Sequence, residues 1–548
     1  MRATTLCFTF SALFLLHLGG AGVIDYDEAC YAEVSREMSA AGEMLSPSLN
    51  GEPFFEKPPF VYWTQMVGFR WFGETAWGVR FWNACAGVCS VLLLYAMARR
   101  PLGAAAALRA ALVLGTCVEV AVLARLALTD IWLVLWFTGC LAAFQRADEA
   151  DRSERGGRGW FLLSCLFSGL AVLTKGAIGF VLPVGAVFVF LLRQRRLGLL
   201  LRPSWMIPGA LLLFGLGLSW YVALGATRPD GFAFMQELFW EHHVGRFLDS
   251  KQGHGGPIVY YVPVLIGGAL PWSAYLVAAL WGDDRRGFDD ARRRFLHLFS
   301  IFGALTFVFF SIAATKLPNY IGPVFPVVAL LVADRWSRFD PSGRGWTWAT
   351  RGTIALFTLL ALAFAVVPAT LQRLPVWLGE TAHKAPGLVD LDLGTLPHLT
   401  AGLFAAAALG AFRFRASVAQ VFTILVTTQL CFIVTVAVGY LPRVDDAMFR
   451  PLREAAVAAD SELTAEEPIV LLGIRHAPSV SFTTGRRTAY VSRKDPEAVA
   501  QLLTTPGRVG IVVEFYASVL GDTGWEELRR SGGYVVFRTA PVGSRSSG

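Results

Sequence analysis

The chain has 548 residues, of which 55% are hydrophobic and only 16% charged, with a mean hydropathy of +0.51. Soluble globular chains carry about a quarter charged residues, so these numbers exclude an ordinary soluble enzyme. Repeated apolar runs of membrane-spanning length point instead to a polytopic membrane protein, and the net charge of +7 then needs no nucleic-acid partner. Seven of the eight cysteines (Cys7, Cys85, Cys89, Cys117, Cys140, Cys165, Cys431) lie in apolar spans, where they read as small buried hydrophobes; Cys30 alone lies in a loop. Their spacing matches neither a disulfide framework nor a zinc knuckle.

Residues 4–20 form a first apolar run behind Arg2. It reads as a membrane span, with a cleaved signal peptide as the alternative; either way, residue 25 onward starts outside the cytoplasm. The next stretch, DYDEACYAEVSREMSAAGEMLSPSLNGEPFFEKPPFVYW (25–63), is dense in carboxylates although apolar spans flank it. The spacing predicts a helix over 28–41 with Tyr31, Val34, Met38 and Ala41 on one stripe, suited to lie along a membrane surface. Asp27 falls where an N-cap is expected and Glu28 suits the first turn, so a plain cap is one reading of Asp27.

Further spans are expected at about 77–98, 104–122, 129–146, 160–174, 177–192, 204–225, 258–280, 295–313, 318–333, 352–370, 398–412 and 416–440, about 13 helices with the first. Arginine clusters (Arg99/Arg100; Arg152/Arg155/Arg158; Arg193/Arg195/Arg196; Arg285–Arg294; Arg335/Arg338/Arg344; Arg413/Arg415) fall in every second loop. Cytoplasmic loops carry such an excess, so the amino terminus is placed inside and the chain end outside. All six lysines (Lys57, Lys175, Lys251, Lys316, Lys384, Lys494) then fall on the external side, by selection for a task or by the chance of small numbers. After residue 441 short β-rich runs at 468–474, 488–492, 509–515 and 534–538 alternate with helical stretches at 497–503 and 524–531. This is an external α/β domain of about 105 residues, near the lower end for an independent fold.

Charged groups at membrane depth are expensive, and here they gather at the external helix ends. Asp130 ends ARLALTD, with Arg125 nearby. Lys175 sits in LTKGAIG, Glu241, His242, His243 and Arg246 in FWEHHVGRF, and Lys316 in TKLPNY with Tyr320 one turn on. With Asp27, Glu56 and Lys57 they share one side of the membrane. Basic groups at such a mouth suit a lipid phosphate. Carboxylates with histidines can hold a divalent cation that offsets phosphate charge. The histidine pair equally reads as interfacial polar residues, and Lys175 as a snorkelling lysine.

DYDEACYAEVSREM, SLNGEPFFEKPPFVYW, LARLALTD, LTKGAIGFVLP, FWEHHVGRF…YYVPVLIGGALPW and TKLPNYIGPVFP, in this order over roughly residues 20–335, resemble the bacterial membrane glycosyltransferases of the aminoarabinose-transferase (ArnT) type, relatives of the protein O-mannosyltransferases with the GT-C fold. FEKPP and TKLPxY are the more specific pieces. Beyond residue 350 only the architecture matches.

The resemblance implies an α-helical polytopic membrane protein. Its transmembrane domain would span 1–440, with a first external loop at 21–76, and a periplasmic α/β domain would span 441–548. It implies transfer of 4-amino-4-deoxy-L-arabinose or a similar sugar from undecaprenyl phosphate to lipid A or a related envelope glycolipid. The enzyme would be a monomer in the bacterial inner membrane, its active site and chain end facing the periplasm. Asp27 and Asp130 match the catalytic aspartates, Lys57 a donor-phosphate contact, and Glu56 and His243 positions tied to a bound divalent metal, zinc. Arg246, Lys316 and Tyr320 lie in motifs near the donor phosphate. One departure stands out: where the family has arginine three residues after the loop aspartate, this chain has Cys30, which cannot ligate phosphate. A protein O-mannosyltransferase-like acceptor and a lipid-linked-sugar flippase are the competing readings; broken helices fit the latter.

Overall fold

The computed structural model describes residues 2–237, 255–281, 290–373, 386–388, 391–464, 467–475, 477–522 and 524–540. Helices α1 (Arg2–Leu15) and α2 (Asp27–Ala41) lead into a hairpin of β1 (Ser48–Leu49) and β2 (Glu52–Pro53), then α3 (Phe60–Phe72). The first helical series continues with α4 (Ala76–Leu102), α5 (Ala104–Thr116), α6 (Val118–Arg125), α7 (Asp130–Arg152), α8 (Arg158–Lys175), α9 (Ile178–Arg193), α10 (Pro203–Gly217), α11 (Ser219–Thr227) and α12 (Ala233–Glu237). The second comprises α13 (Tyr261–Gly268), α14 (Ser273–Trp281), α15 (Asp290–Ile312), α16 (Phe325–Trp336), α17 (Arg344–Leu371), α18 (Leu396–Arg413) and the continuous α19 (Val418–Asp460). One apolar cluster runs through most of these helices, with Phe10, Leu94, Leu114, Phe137, Tyr275 and Phe325 among its buried members.

Among the described residues, α4, α15, α17 and α19 are long and apolar enough to cross a membrane. Three bent pairs raise the number to seven: α5 with α6 (62°), α10 with α11 (51°), and 258–268 with α14 (115°). Several expected spans are shorter helices; α9 has 16 residues. Two pairs of the arginine-rich loops meet in space. Asp148 accepts from Arg152 (2.8 Å) and pairs with Arg196, and Asp334 pairs with Arg292 (2.5 Å) and Arg338.

The external loop differs from expectation in two ways. The Tyr31/Val34/Met38 stripe of α2 packs against Tyr62 and Met66 of α3, not along a lipid surface, and Ala41 is exposed. Helix α3 itself was hidden in FVYWTQMVGFRWF, an apolar run too short to read as a span.

Past α19 lie β3 (Ile469–Leu472), α20 (Pro478–Thr484), β4 (Thr488–Val491), α21 (Pro496–Thr504), β5 (Val509–Val513), β6 (Trp525–Ser531) and β7 (Tyr534–Thr539). The sheet order is β4-β3-β5-β7-β6: β4, β3 and β5 run parallel, and β7 pairs antiparallel with β5 and with β6. Strands β3 and β5 are buried throughout, between two apolar clusters, which suits their unbroken Ile/Val/Leu runs. Residues 524–531, expected as a helix, form strand β6. Gly532 and Gly533 follow with φ of 56° and 78°, the backbone a tight two-residue hairpin needs, and the hairpin imposes the strand. Helix α19 runs through residue 440 without interruption, so the polypeptide enters the sheet unit as a helix.

Candidate active site

Two side chains one turn apart on α4 organise the site. Arg80 (3% exposed) donates to both oxygens of Glu28 (2.8 and 2.6 Å) and to the carbonyls of Leu18, Ala21 and Gly22, where the chain leaves α1. Glu28 also accepts from the backbone of Ile24 (3.0 Å) and Ala127 (3.0 Å). Asn83 donates to the carbonyls of Leu126 (2.8 Å) and Leu128 (2.7 Å) and accepts from Trp132 Nε1 (3.1 Å). Arg80 thus fixes the residue beside Asp27, and Asn83 fixes the turn before Asp130. A buried guanidinium tolerates desolvation here because all its branches are served; removing one partner of such a pair costs about 3–5 kcal/mol.

These anchors bring both aspartates to one cavity of about 250 Å³. Tyr26, Asp27, Cys30, Glu56, Lys57, Asp130, Lys175, Asn319 and Tyr320 are among the residues that line it. Tyr26, not Asp27, occupies the N-cap of α2; Asp27 sits in the first turn and lines the cavity. Pro59 caps α3 and, with Pro58, stiffens the backbone beside Lys57. Asp130 opens α7 and is 2% exposed. It accepts from Lys175 Nζ (2.6 Å) at one oxygen and from Asn319 Nδ2 (2.8 Å) at the other. Lys175 is the last residue of α8, which ends at Gly176 (φ 73°); its ammonium also lies 4.6 Å from the centre of the Tyr320 ring. Burial, with Glu56 and Asp27 close by, pushes the Cys30 thiol well above its ordinary value, so it is uncharged.

The sheet unit grips the same loop from outside. Asp25 accepts from the backbone N–H of Ser479 (2.9 Å) and from its hydroxyl. Asn50 exchanges two bonds with the backbone of Thr488, both 2.7 Å. Phe482 packs on Phe69 and the Ala29/Ala32 face of α2. Burial raises the Asp25 carboxyl to about 6, partly offset by the Ser479 bonds.

Residues 2–231 match the family model described as dolichyl-phosphate-mannose-protein mannosyltransferase. An undecaprenyl phosphate-alpha-4-amino-4-deoxy-L-arabinose arabinosyl transferase of Edwardsiella ictaluri is 33% identical over 411 residues, covering 73% of this chain and 72% of that protein. The protein of the same name from Erwinia tasmaniensis is 31% identical, over 63% of this chain and 61% of its own. The chain belongs to this arabinosyl transferase family. ArnT from Cupriavidus metallidurans, solved with undecaprenyl phosphate bound, superposes with a TM-score of 0.79 at 23% identity, over 98% of each chain, and shares the fold.

Within that family frame, five of the eight expected site residues (Asp27, Asp130, Glu56, Lys57 and Tyr320) line the one cavity. Lys316 does not line it. Its ammonium donates to the carbonyls of Ser311 (2.8 Å) and Ala313 (2.7 Å), at the end of α15. His243 and Arg246, with Glu241 and His242, lie outside the described residues. Arg125 turns away from Asp130 to the carbonyls of Leu13 and Phe14. Asn319, Arg80, Asn83 and Ser479 escaped sequence reasoning. Arg80 carried the usable signal, a charge inside an apolar span. Ser479 carried none.

Proposed function

We propose that this glycosyltransferase moves 4-amino-4-deoxy-L-arabinose, or a close relative, from undecaprenyl phosphate to lipid A or a related envelope glycolipid, at the periplasmic face of the inner membrane. The observation that carries the reading is the convergence of Asp27, Glu56, Lys57, Asp130, Lys175 and Tyr320 on one cavity. These residues come from four separate stretches of the chain, and the family's arabinosyl transferases carry the donor in their name.

In the reaction, an acceptor oxygen attacks the anomeric carbon, the carbon–oxygen bond to the lipid phosphate breaks, and undecaprenyl phosphate leaves with the bonding pair. Lys57 stabilises the charge gathering on that phosphate. Asp27, with no hydrogen-bond partner among the described residues, orients the acceptor and takes its proton when the acceptor is a hydroxyl. An acceptor phosphate is already ionised near neutrality and needs only orientation. Asp130, held by Lys175 and Asn319, is committed to the wall, and its task is to fix the Lys175 ammonium beside Tyr320.

Three carboxylates (Asp27, Glu56, Asp130) and two ammoniums (Lys57, Lys175) line the cavity, one net negative charge with the Cys30 thiol neutral. An anionic donor is opposed by that balance. A divalent cation on Glu56 and His243, zinc by the resemblance, would reverse it, and the charge of Arg246 would cancel it. Among the described residues no three of His, Cys, Asp and Glu form a metal-binding group, so no step is assigned to an ion. Bound there, a cation would supply electrostatic stabilisation of the leaving phosphate.

Membranes containing the chain, given donor labelled in the sugar and analysed by mass spectrometry, should yield lipid A heavier by one sugar residue. Label on protein would favour the O-mannosyltransferase-like reading that the family model's description suggests. Label crossing the membrane without a covalent product would overturn the transferase.

A further inference from the structure

Behind the catalytic cavity lies a second chamber of about 370 Å³, between the exit of α1, helix α6 and the middle of α19. Its walls are almost entirely hydrocarbon, with Leu18, Val122, Phe432, Ile433 and Ala437 among them. Four polar side chains interrupt that lining: Arg80, engaged with Glu28 and three carbonyls, His17, at the Ala437 carbonyl, and two with unmatched donors, Gln429 and Arg125. Gln429 is 3% exposed, and its Nε2 has no hydrogen-bond partner among the described residues. Arg125 is 8% exposed; its terminal nitrogens serve carbonyls at the end of α1, and its Nε has no such partner either. At membrane depth an unmatched donor is costly, so both are placed for an acceptor that the described residues do not supply.

We propose that this chamber binds one ester-linked acyl chain of a bilayer glycerophospholipid, its ester oxygen accepting from Gln429 Nε2 and Arg125 Nε and its hydrocarbon filling the remainder. The proposal rests on the membrane-embedded reading above but not on sugar transfer. Apolar walls with a few convergent donors and a volume in this range are the usual marks of a ligand pocket. Water satisfies the site poorly. A buried water needs two to four polar partners, and these two donors serve about one molecule while most of the chamber stays apolar. A polyprenyl chain offers no oxygen short of its phosphate. A phosphate would set several charged oxygens against a guanidinium already engaged with carbonyls. The reacting lipids are excluded by position: the chamber and the catalytic cavity have no lining residue in common, and the Arg80–Glu28 pair stands between the chamber wall and Asp27. Arg80 lines the chamber and fixes Glu28, so the lipid braces the loop that carries Asp27.

The test uses the full chain, purified in mild detergent, washed extensively and examined by native mass spectrometry. Palmitoyl-oleoyl phosphatidylethanolamine is then added back while thermal unfolding is followed. Wild type should retain about one phospholipid per chain and gain thermal stability on re-addition. Gln429→Leu, close in volume and lacking the donor, should retain about fivefold less, the effect of one lost hydrogen bond. Ala437→Phe, which fills the chamber, should retain none and gain nothing from added lipid; Ala121→Phe does the same from the opposite wall. A wild-type chain that washes free of lipid, filled variants that retain as much as wild type, or a retained lipid that proves to be lipid A would each overturn the proposal. Because retention is read as mass, its failure is separate from any failure of transfer activity.

Discussion

Asp130 has one carboxylate oxygen on Lys175 and the other on Asn319, whereas Asp27, on the same cavity, makes no hydrogen bond or ion pair among the described residues. Both are acidic, both open a helix, and both were expected from the sequence as catalytic. The difference lies in what each has left to offer. A carboxylate saturated by a buried lysine is neither a ready base nor a ready ligand; it fixes a positive charge in place. An unsaturated carboxylate at the cavity edge can orient or deprotonate an incoming group. In the proposed reaction two identical side chains would divide the work, and their neighbours would decide which does what.

This comparison can be broken most directly at Asp27. Asp27→Asn should lower transfer of labelled sugar by about 10²–10⁴-fold, the usual worth of a positioned base, and leave the unfolding temperature unchanged. A variant with wild-type transfer removes Asp27 from the chemistry. At Asp130 the expectation shifts toward stability. Asp130→Asn leaves the Lys175 charge buried and uncompensated, a loss of about 3–5 kcal/mol in denaturant unfolding. Adding Lys175→Met should recover most of that stability but not the activity; recovery of both would mean that neither charge is needed.

A smaller effect comes from the grip of the sheet unit on the loop. Ser479→Ala deletes the hydroxyl bond to Asp25, worth about 1 kcal/mol, and should reduce kcat about fivefold with the donor KM unchanged. Ser479→Thr should restore it, and a change in KM alone would contradict a positioning role. The smallest concerns pH. Burial raises the Asp25 carboxyl from 3.8 to about 6, so between these values the folded chain holds a proton that the unfolded chain has released. Stability from this group is complete below about 4 and is lost as pH rises to about 6. Asp25→Asn should flatten the unfolding temperature across that window; an unaltered slope would place the titration elsewhere.

The helical body was legible because apolar runs of spanning length and alternating arginine loops are strong, local signals. The cavity was legible because intramembrane and mouth-level charges are costly and seldom retained idly, so Asp130, Lys57 and Glu56 stood out against hydrocarbon. What could not be read depends on pairing across the chain. Nothing local distinguishes a lysine held on carbonyls away from the cavity, as Lys316 is, from one that lines it, as Lys57 does with its ammonium 3.3 Å from the Glu56 carbonyl. The helix expected at 524–531 failed for the same reason. There the Gly532–Gly533 turn and the partner strand β7 decide the outcome. Ser479 lies 454 positions along the chain from Asp25, the residue it holds.

Helix α19 has a practical consequence for anyone who would cut this chain. At 43 residues, with π-helical turns at Val436–Tyr440 and Asp445–Phe449, it is a long rod rooted among the apolar helices and ending beneath the sheet. Severing it at residue 440 to obtain a soluble fragment would strip Leu441 from the acyl chamber and leave the excised piece with a frayed helical stub. A fusion or reporter placed after residue 540 would instead leave the rod whole, and any pull on the soluble end would be transmitted along it to the bilayer.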